Sequence, residues 1–235
     1  MICKIADLTV DVPAAGGISP RFTEYLCEFR GQTDITIHAD AYRRAKYPGA
    51  PEELIAYIES GVQFHRELLR FDGMMLHSSA VVLDGRAYLF SGPCGVGKST
   101  HTRLWKEVFG SDAQIINDDK PTLRRLNGTW IAYGTPWCGK DGINVNRKVP
   151  LAGICFLKQS PETRIRRLES PETTASVILQ TMHRFKDEDN LTRMLAHVDK
   201  LVREIPIFEL ENRPVAEAAR LSFETMHRAA KEAGL

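Results

Sequence analysis

The sequence predicts an α/β fold built on a mixed sheet with substantial antiparallel pairing, strands in the middle of the chain and helices late. Three observations carry this. Apolar, β-rich runs cluster in the central block, LHSSAVVLDGRAYLFSG (residues 76–92) foremost among them. That run is divided by Asp84-Gly85, the strongest short signal for a two-residue hairpin turn. From residue 170 onward the apolar residues recur at helical spacing.

Taken in order, residues 1–50 mix short β-like runs (ICKIADLTVDV, DITIHA) with the turn-rich PAAGGISP. Pro51 then opens a helix, Glu52 and Glu53 suit its first turn, and Leu54, Ile55, Ile58, Val62 and Leu69 mark its apolar face. The hairpin at 76–92 follows. A helix over 98–109 ends at Gly110, and AQIINDD is a short strand finishing in two acids. TWIAYGTPWCGKDG and LAGICFL supply further strand around a glycine-rich loop. Ser170-Pro171-Glu172 starts a helix, and Leu191, Met194, Leu195, Val198, Leu201, Val202 and Ile205 line a strongly amphipathic one. This face is either core or interface, core being the commoner use of such a stripe. IPIFEL reads as strand, and Pro214 begins a last helix with Val215, Ala218, Ala219, Ser222, Phe223 and Met226 on one side. No linker divides the chain, so one domain is expected over 1–235, with residues 1–73 a β/helix subregion and 74–235 the main core.

Composition narrows the function classes. The 235 residues are 43% hydrophobic and 26% charged with a net charge of +1, values of an ordinary globular protein without a nucleic-acid footprint. Five cysteines without a CxxC pair argue against a disulfide framework or a zinc site. No apolar run approaches the ~20 residues of a membrane span and no signal-peptide core is present. A cytoplasmic location is the expectation.

The chemistry sits in SGPCGVGKSTHTRLW (residues 91–105). Gly92, Cys94, Gly95, Val96, Gly97, Lys98, Ser99 and Thr100 form the glycine loop and helix start of a G-x-x-x-x-G-K-[ST] phosphate site. Glycines let backbone N–H groups turn toward phosphate oxygens, and the helix N-terminus adds positive dipole. Lys98 is placed to reach the β- and γ-phosphates, and the Ser99 hydroxyl to ligate Mg²⁺. ATP or another nucleoside triphosphate, with Mg²⁺, is the implied ligand. One helix and one short strand later come Asp118 and Asp119, a crossover length that brings neighbouring strand ends together. One acid can hold metal while the other takes a proton from an acceptor hydroxyl; an Asx turn is the bland reading. If Leu83 pairs with Arg86 across the turn, the register sets His77 opposite Gly92, at the phosphate site. The loop at 134–142 is either a lid that brings Lys140 to the transferred phosphate or a surface hairpin with a solvated lysine. Arg124 and Arg125 are candidate phosphate clamps or solvated side chains, and His183 and His197 read as packing or surface residues. Cys94 inside the loop makes nucleotide binding sensitive to thiol reagents.

The combination of an His-x-Ser strand, a DG hairpin, GxxGxGKS and a following Asp-Asp resembles the HPr kinase/phosphorylase family and, more broadly, the phosphoenolpyruvate-carboxykinase-like kinase fold. The resemblance is strongest over residues 74–125. It implies a small member of that kinase type, with His77 near the transferred phosphoryl group, Lys98 on phosphate, Ser99 and one acid on Mg²⁺ and the other acid as base; of the two orders, Asp119 on metal and Asp118 as base is the favoured one. The residues before the motif block are too few for the separate N-terminal domain of the full-length enzymes. GTPWCGKDG looks instead like small relatives associated with peptide modification. The reading is therefore a serine kinase whose acceptor is a small protein, peptide or metabolite, with homo-oligomers known among such relatives; the rivals are a nucleotide sensor or assembly factor and an NTP hydrolase.

Overall fold

The computed structural model describes residues 1–14, 20–181 and 187–235; His183 and the middle of PAAGGISP lie outside them. The run ICKIADLTVDV is a hairpin of β1 (Ile2–Ile5) and β2 (Leu8–Asp11). Its turn residues Ala6 and Asp7 have φ of 53° and 61°, the doubly left-handed geometry that matches strand twist in two-residue turns. β3 (Ile35–Thr36) joins β2 in parallel. The helix α1 (Glu52–Glu67) packs beneath this small sheet in an apolar cluster that includes Phe22, Tyr25, Ile55, Phe64 and, from later in the chain, Tyr133 and Trp137. The first residues thus share their core with the central block.

The buried face of α1 differs from the expected one. Leu54 is exposed, Ile58 and Val62 are half-buried, and the face turned inward carries Ile55, Ala56, Glu59, Ser60, Gln63, Phe64 and His65. The polar side chains of Glu59 and Gln63 are tolerated there because each meets a partner. Glu59 takes hydrogen bonds from Arg43 (2.9 Å) and the Tyr47 hydroxyl (2.9 Å), and Gln63 pairs both ways with the His38 backbone. Apolar spacing alone cannot reveal such a face.

The remaining strands make a nine-stranded mixed sheet. In chain order they are β4 (Gly73–Met75), β5 (Ser78–Leu83), β6 (Arg86–Ser91), β7 (Gln114–Asp119), β8 (Thr122–Leu126), β9 (Thr129–Tyr133), β10 (Lys148–Gln159), β11 (Arg164–Arg167) and β12 (Ile207–Asn212). Their spatial order is β4-β8-β9-β10-β6-β5-β7, with β12 on the far part of β10 and β11 beyond it. The expected hairpin register is present from Leu83↔Arg86 to Ser78↔Ser91, its turn made by Asp84 and Gly85 at φ 52° and 68°. β10 is long enough to pair with β9 through Lys148–Pro150 and with β6 beyond Leu151, which joins the two halves of the sheet.

Helices cover both faces. α3 (Glu172–Gln180) and α4 (Glu188–Glu204) lie on one, where Ala80, Val82, Leu89, Ile154, Val177, Val198 and Leu201 meet. α2 (Lys98–Phe109) and α5 (Ala216–Glu232) lie on the other, against Val81, Tyr88, Phe90, Trp105 and Met226. Successive residues of β5 and β6 therefore enter opposite cores, which explains their unbroken apolar runs. Each fully buried side chain of this size contributes about 1.5–3 kcal/mol. On α4, Met194, Val198 and Leu201 are core residues, whereas Leu191 and Leu195 are 38% and 44% exposed. His197 is a packing residue, its Nε2 donating to the Leu69 carbonyl at 3.0 Å. No helix among the described residues is long and apolar enough to cross a membrane.

Candidate functional site

The site is built where β6 ends. Gly92 (φ 139°) and Gly97 (φ 104°) occupy backbone regions that side chains rarely adopt, and a Cβ on Gly92 would also stand 3.2 Å from the Leu157 carbonyl. The glycines turn the chain back so that α2 starts at Lys98 with no side chain capping it. The first N–H groups of a helix have no partner within it, and here they follow directly on the glycine loop. Cys94, Gly95 and Thr100 are exposed, Val96 and Ser99 half-buried, and Gln159 steadies the tip through a 3.1 Å bond to the Gly95 carbonyl. The Lys98 ammonium lies across the loop, donating to the carbonyls of Gly92 (3.0 Å) and Pro93 (3.1 Å). Burial holds it below the usual lysine range, with the negative charge of Asp119 opposing.

The two acids arrive by a different route from the one expected. β7 does not neighbour β6: β5 lies between them, paired to both. A crossover of this length can pass over one strand as readily as none. β5 places Ser79 opposite Asp118 and Ser78 opposite Asp119, and Ser79 is tied to Thr102 of α2 at 2.9 Å. The acids still reach the loop. Ser99 Oγ donates to Asp118 Oδ1 at 3.0 Å, and Asp118 is buried.

Asp119 faces elsewhere. Its Oδ1 is 3.1 Å from His77 Nε2, and its Oδ2 is 2.5 Å from the Lys120 ammonium. Burial alone would raise its pKa, but the hydrogen bonds and charges of His77 and Lys120 hold the carboxyl well below the usual carboxylate range. The residue has φ 109°, a strained conformation for a non-glycine residue, fixed by the turn around it. Asn117 accepts from the Lys120 backbone N–H (2.9 Å) and donates to the Thr135 carbonyl (2.9 Å). His77 sits between β4 and β5, just past the Ser78↔Ser91 pair as the register predicts. Gln180, the last residue of α3, holds it through the backbone (2.8 Å) and through Nδ1 (3.1 Å).

The loop at 134–142 is neither of the two structures expected of it. Its first half is interior: Thr135, Trp137 and Cys138 are buried, Trp137 stacks on Phe64 at 4.7 Å, and its indole N–H donates to Ser60 at 3.1 Å. The tip then passes the acids, the Gly139 N–H bonding to the Asp118 carbonyl, and exposes Lys140. Arg124 and Arg125 are not phosphate clamps. Arg124 is buried, donating to the carbonyls of Phe71 (2.9 Å) and Ala6 (2.8 Å), and Arg125 pairs with Glu204 at 2.7 Å. Lys120, Gln180 and Asn117 escaped the sequence reading; only Asn117 and Lys120 carried a signal, as members of the Asn-Asp-Asp-Lys turn.

Among the described residues no cluster of three or more His, Cys, Asp or Glu side chains could hold a metal by itself. The hydroxyl of Ser99 and the carboxylate of Asp118 are hard oxygen donors on one point, which fits Mg²⁺, an ion that keeps water and phosphate oxygens as its other ligands. Beside Asp119 lies an open cavity of about 780 Å³, whose border includes Arg21, Phe22, Glu53, Leu54, Tyr57 and Lys140.

Fold and site together define a mixed α/β protein with a glycine loop, a helix N-terminus and two acids converging on one place. Residues 50–215 match the family described as SynChlorMet cassette protein ScmC, and the chain belongs to that family. No curated protein matches it. Among solved structures, the HPr(Ser) kinase/phosphatase from Coxiella burnetii is similar at 15% identity, covering 67% of this chain and 90% of that one with a TM-score of 0.37. A likeness that distant carries no argument about chemistry, which rests on the geometry above.

Proposed function

We propose that this protein is a phosphotransferase that binds ATP with Mg²⁺ on the glycine loop and passes the γ-phosphoryl group to a hydroxyl. The observation that carries the reading is the convergence of Lys98, Ser99–Asp118 and His77–Asp119 on the loop. Anions bind free N–H groups at a helix start, and Lys98 needs only to leave two carbonyls to meet phosphate. Bound Mg²⁺ would neutralise the β- and γ-oxygens, with Ser99 and Asp118 as its protein ligands.

This is the other order of the acids from the one favoured on the sequence: Asp118 belongs to the metal side and Asp119 to the acceptor side. The bond from the γ-phosphorus to the β–γ bridging oxygen breaks, a bond to the acceptor oxygen forms, and the nucleoside diphosphate leaves. Asp119 accepts the hydroxyl hydrogen bond and orients the nucleophile. A carboxylate held so firmly ionised is a weak base, but in a loose transition state the proton departs late. It passes to Asp119 and on to solvent, while His77 adjoins the transferred group. Lys140 stands on the acceptor side rather than on the phosphate.

Asp118→Asn and Asp119→Asn separate these roles. With a fluorescent ATP analogue and a degenerate serine-peptide pool, Asp118→Asn should lose the Mg²⁺-dependent part of nucleotide affinity. Asp119→Asn should bind within about twofold of wild type and lose ~10²–10⁴ in transfer, the usual worth of an acid–base group. The opposite pattern would restore the other order. Binding without transfer or phosphate release would make the protein a sensor, and release independent of acceptor would make it a hydrolase.

A further inference from the structure

The cavity beside Asp119 is walled by the N-terminal subregion on one side and by the tip of the 134–142 loop on the other. Neither Lys98 nor Ser99 borders it. Asp119 therefore stands between two chambers, the glycine loop on one side and this cavity on the other. Gly139 lies directly beside the acids: a Cβ there would be 3.4 Å from the Asp118 carbonyl, 3.6 Å from the Asp119 Cβ and 3.8 Å from Asp118 Oδ2. Any larger side chain would stand over the acids.

The lining describes what fits. Phe22 and Leu54 present an apolar wall, and Leu54 is 47% exposed. Arg21 is braced at the rim by hydrogen bonds to the Tyr57 hydroxyl (2.7 Å) and the Cys138 carbonyl (3.1 Å), its guanidinium 4.9 Å above the Tyr57 ring. Neither Arg21 nor Lys140 has a carboxylate partner among the described residues. The volume of about 780 Å³ falls in the range, roughly 300–1,000 Å³, of pockets that enclose a drug-sized ligand. A small hydroxylated metabolite would leave most of it unfilled.

Resting on the phosphotransferase reading, we propose that this cavity is the acceptor site. Its occupant is a short peptide segment that offers a serine or threonine hydroxyl to Asp119, lays an apolar side chain against Phe22 and Leu54, and meets Arg21 and Lys140 with a carboxylate. A hydroxyl, an apolar group and an acid within a few ångströms of one another are the ordinary content of three neighbouring residues.

The test uses the full chain and nine-residue peptides with a central serine, other positions degenerate, in one pool carrying a photoreactive benzophenone residue. Wild type should label peptides enriched in an apolar residue and in Asp or Glu beside the serine, and cross-links should fall at the Phe22, Leu54 and Lys140 wall. Leu54→Glu, a change at an exposed position, should lower kcat/KM for a selected peptide at least tenfold while ATP affinity stays within twofold. Lys140→Glu, at a second exposed position of the wall, should do the same. Transfer that ignores both variants, prefers Lys or Arg beside the serine, or is confined to free serine would overturn the acceptor site and leave the kinase standing. Cross-links at the cavity without any transfer would keep the peptide site and remove the kinase. Neither cross-link nor transfer would remove both.

Discussion

Acidification should destabilise this protein through His101 in a way one substitution can isolate. His101 lies in the second turn of α2, fully buried, and ties the helix that follows the glycine loop to β12 and α5. Its Nδ1 is 3.1 Å from Asn212 Oδ1, and its Nε2 faces Ser222 Oγ at 3.1 Å and the Trp105 indole N–H at 3.3 Å. The ring therefore carries its proton on Nδ1 and accepts at Nε2. A second proton would set N–H against N–H in the interior. Burial, only partly offset by Asn212, lowers the pKa from 6.5 to about 4. Below pH 6.5 the unfolded chain binds a proton that the folded one refuses, so stability falls as pH drops and levels off below the folded value. At about 1.4 kcal/mol per unit, the loss between pH 7.5 and 4.5 comes to about 2–3 kcal/mol. Asp119 and His65 titrate as well, so wild type alone cannot assign the loss. His101→Gln keeps a donor and an acceptor but no titration, and the difference between the two urea-unfolding free energies cancels every other group. That difference should shift by about 2–3 kcal/mol in the variant's favour across this range. Parallel curves would refute the buried neutral imidazole.

Two further outcomes follow from local geometry. Gly134→Ala should cost more than about 3 kcal/mol, beyond ordinary overpacking, because the new Cβ would lie 1.9 Å from the Val145 carbonyl and 2.6 Å from that of Ile116; a urea-unfolding loss under about 1 kcal/mol would contradict the packing of this strand end. Alkylation should abolish nucleotide binding by acting at Cys94, which is exposed while Cys3, Cys138 and Cys155 are buried and Cys27 is half-buried. Full affinity in a sample modified stoichiometrically at Cys94 would place the ligand elsewhere.

What the sequence made legible was whatever is settled within a few residues. Asp84-Gly85 dictates its own turn, the turn dictates the register, and the register carries His77 to the loop without knowledge of anything else. Gly97 and Gly110 likewise bound α2 at both ends, the first with φ 104° and the second with φ 60°. Strand neighbours are decided by partners far away in the chain. Nothing in AQIINDD says that β5 will take the place beside it, so the acids were expected on an adjacent strand. The same limit hid the 134–142 loop. Its composition is that of an exposed turn, and it is buried because Trp137 finds Phe64 and Ser60 on a helix more than 70 residues earlier. Glu59 and Gln63, which the apolar spacing of α1 passes over, are interior because Arg43, Tyr47 and His38 come to meet them.

These non-local contacts bear on the acceptor side more than on the phosphate side. The glycine loop, Lys98 and Ser99 form a continuous stretch, so one local signal describes the proposed nucleotide chamber. The cavity has no such stretch: Arg21 and Phe22, Leu54 and Tyr57, Asp119, and Lys140 come from four separated parts of the chain. The bonds of Arg21 to Tyr57 and to the Cys138 carbonyl hold three of those parts together. A substitution at Arg21 should therefore act on the acceptor chamber without touching the glycine loop. Under the proposed reading, the division of one site into a locally encoded half and an assembled half would let acceptor preference change while phosphate chemistry is kept.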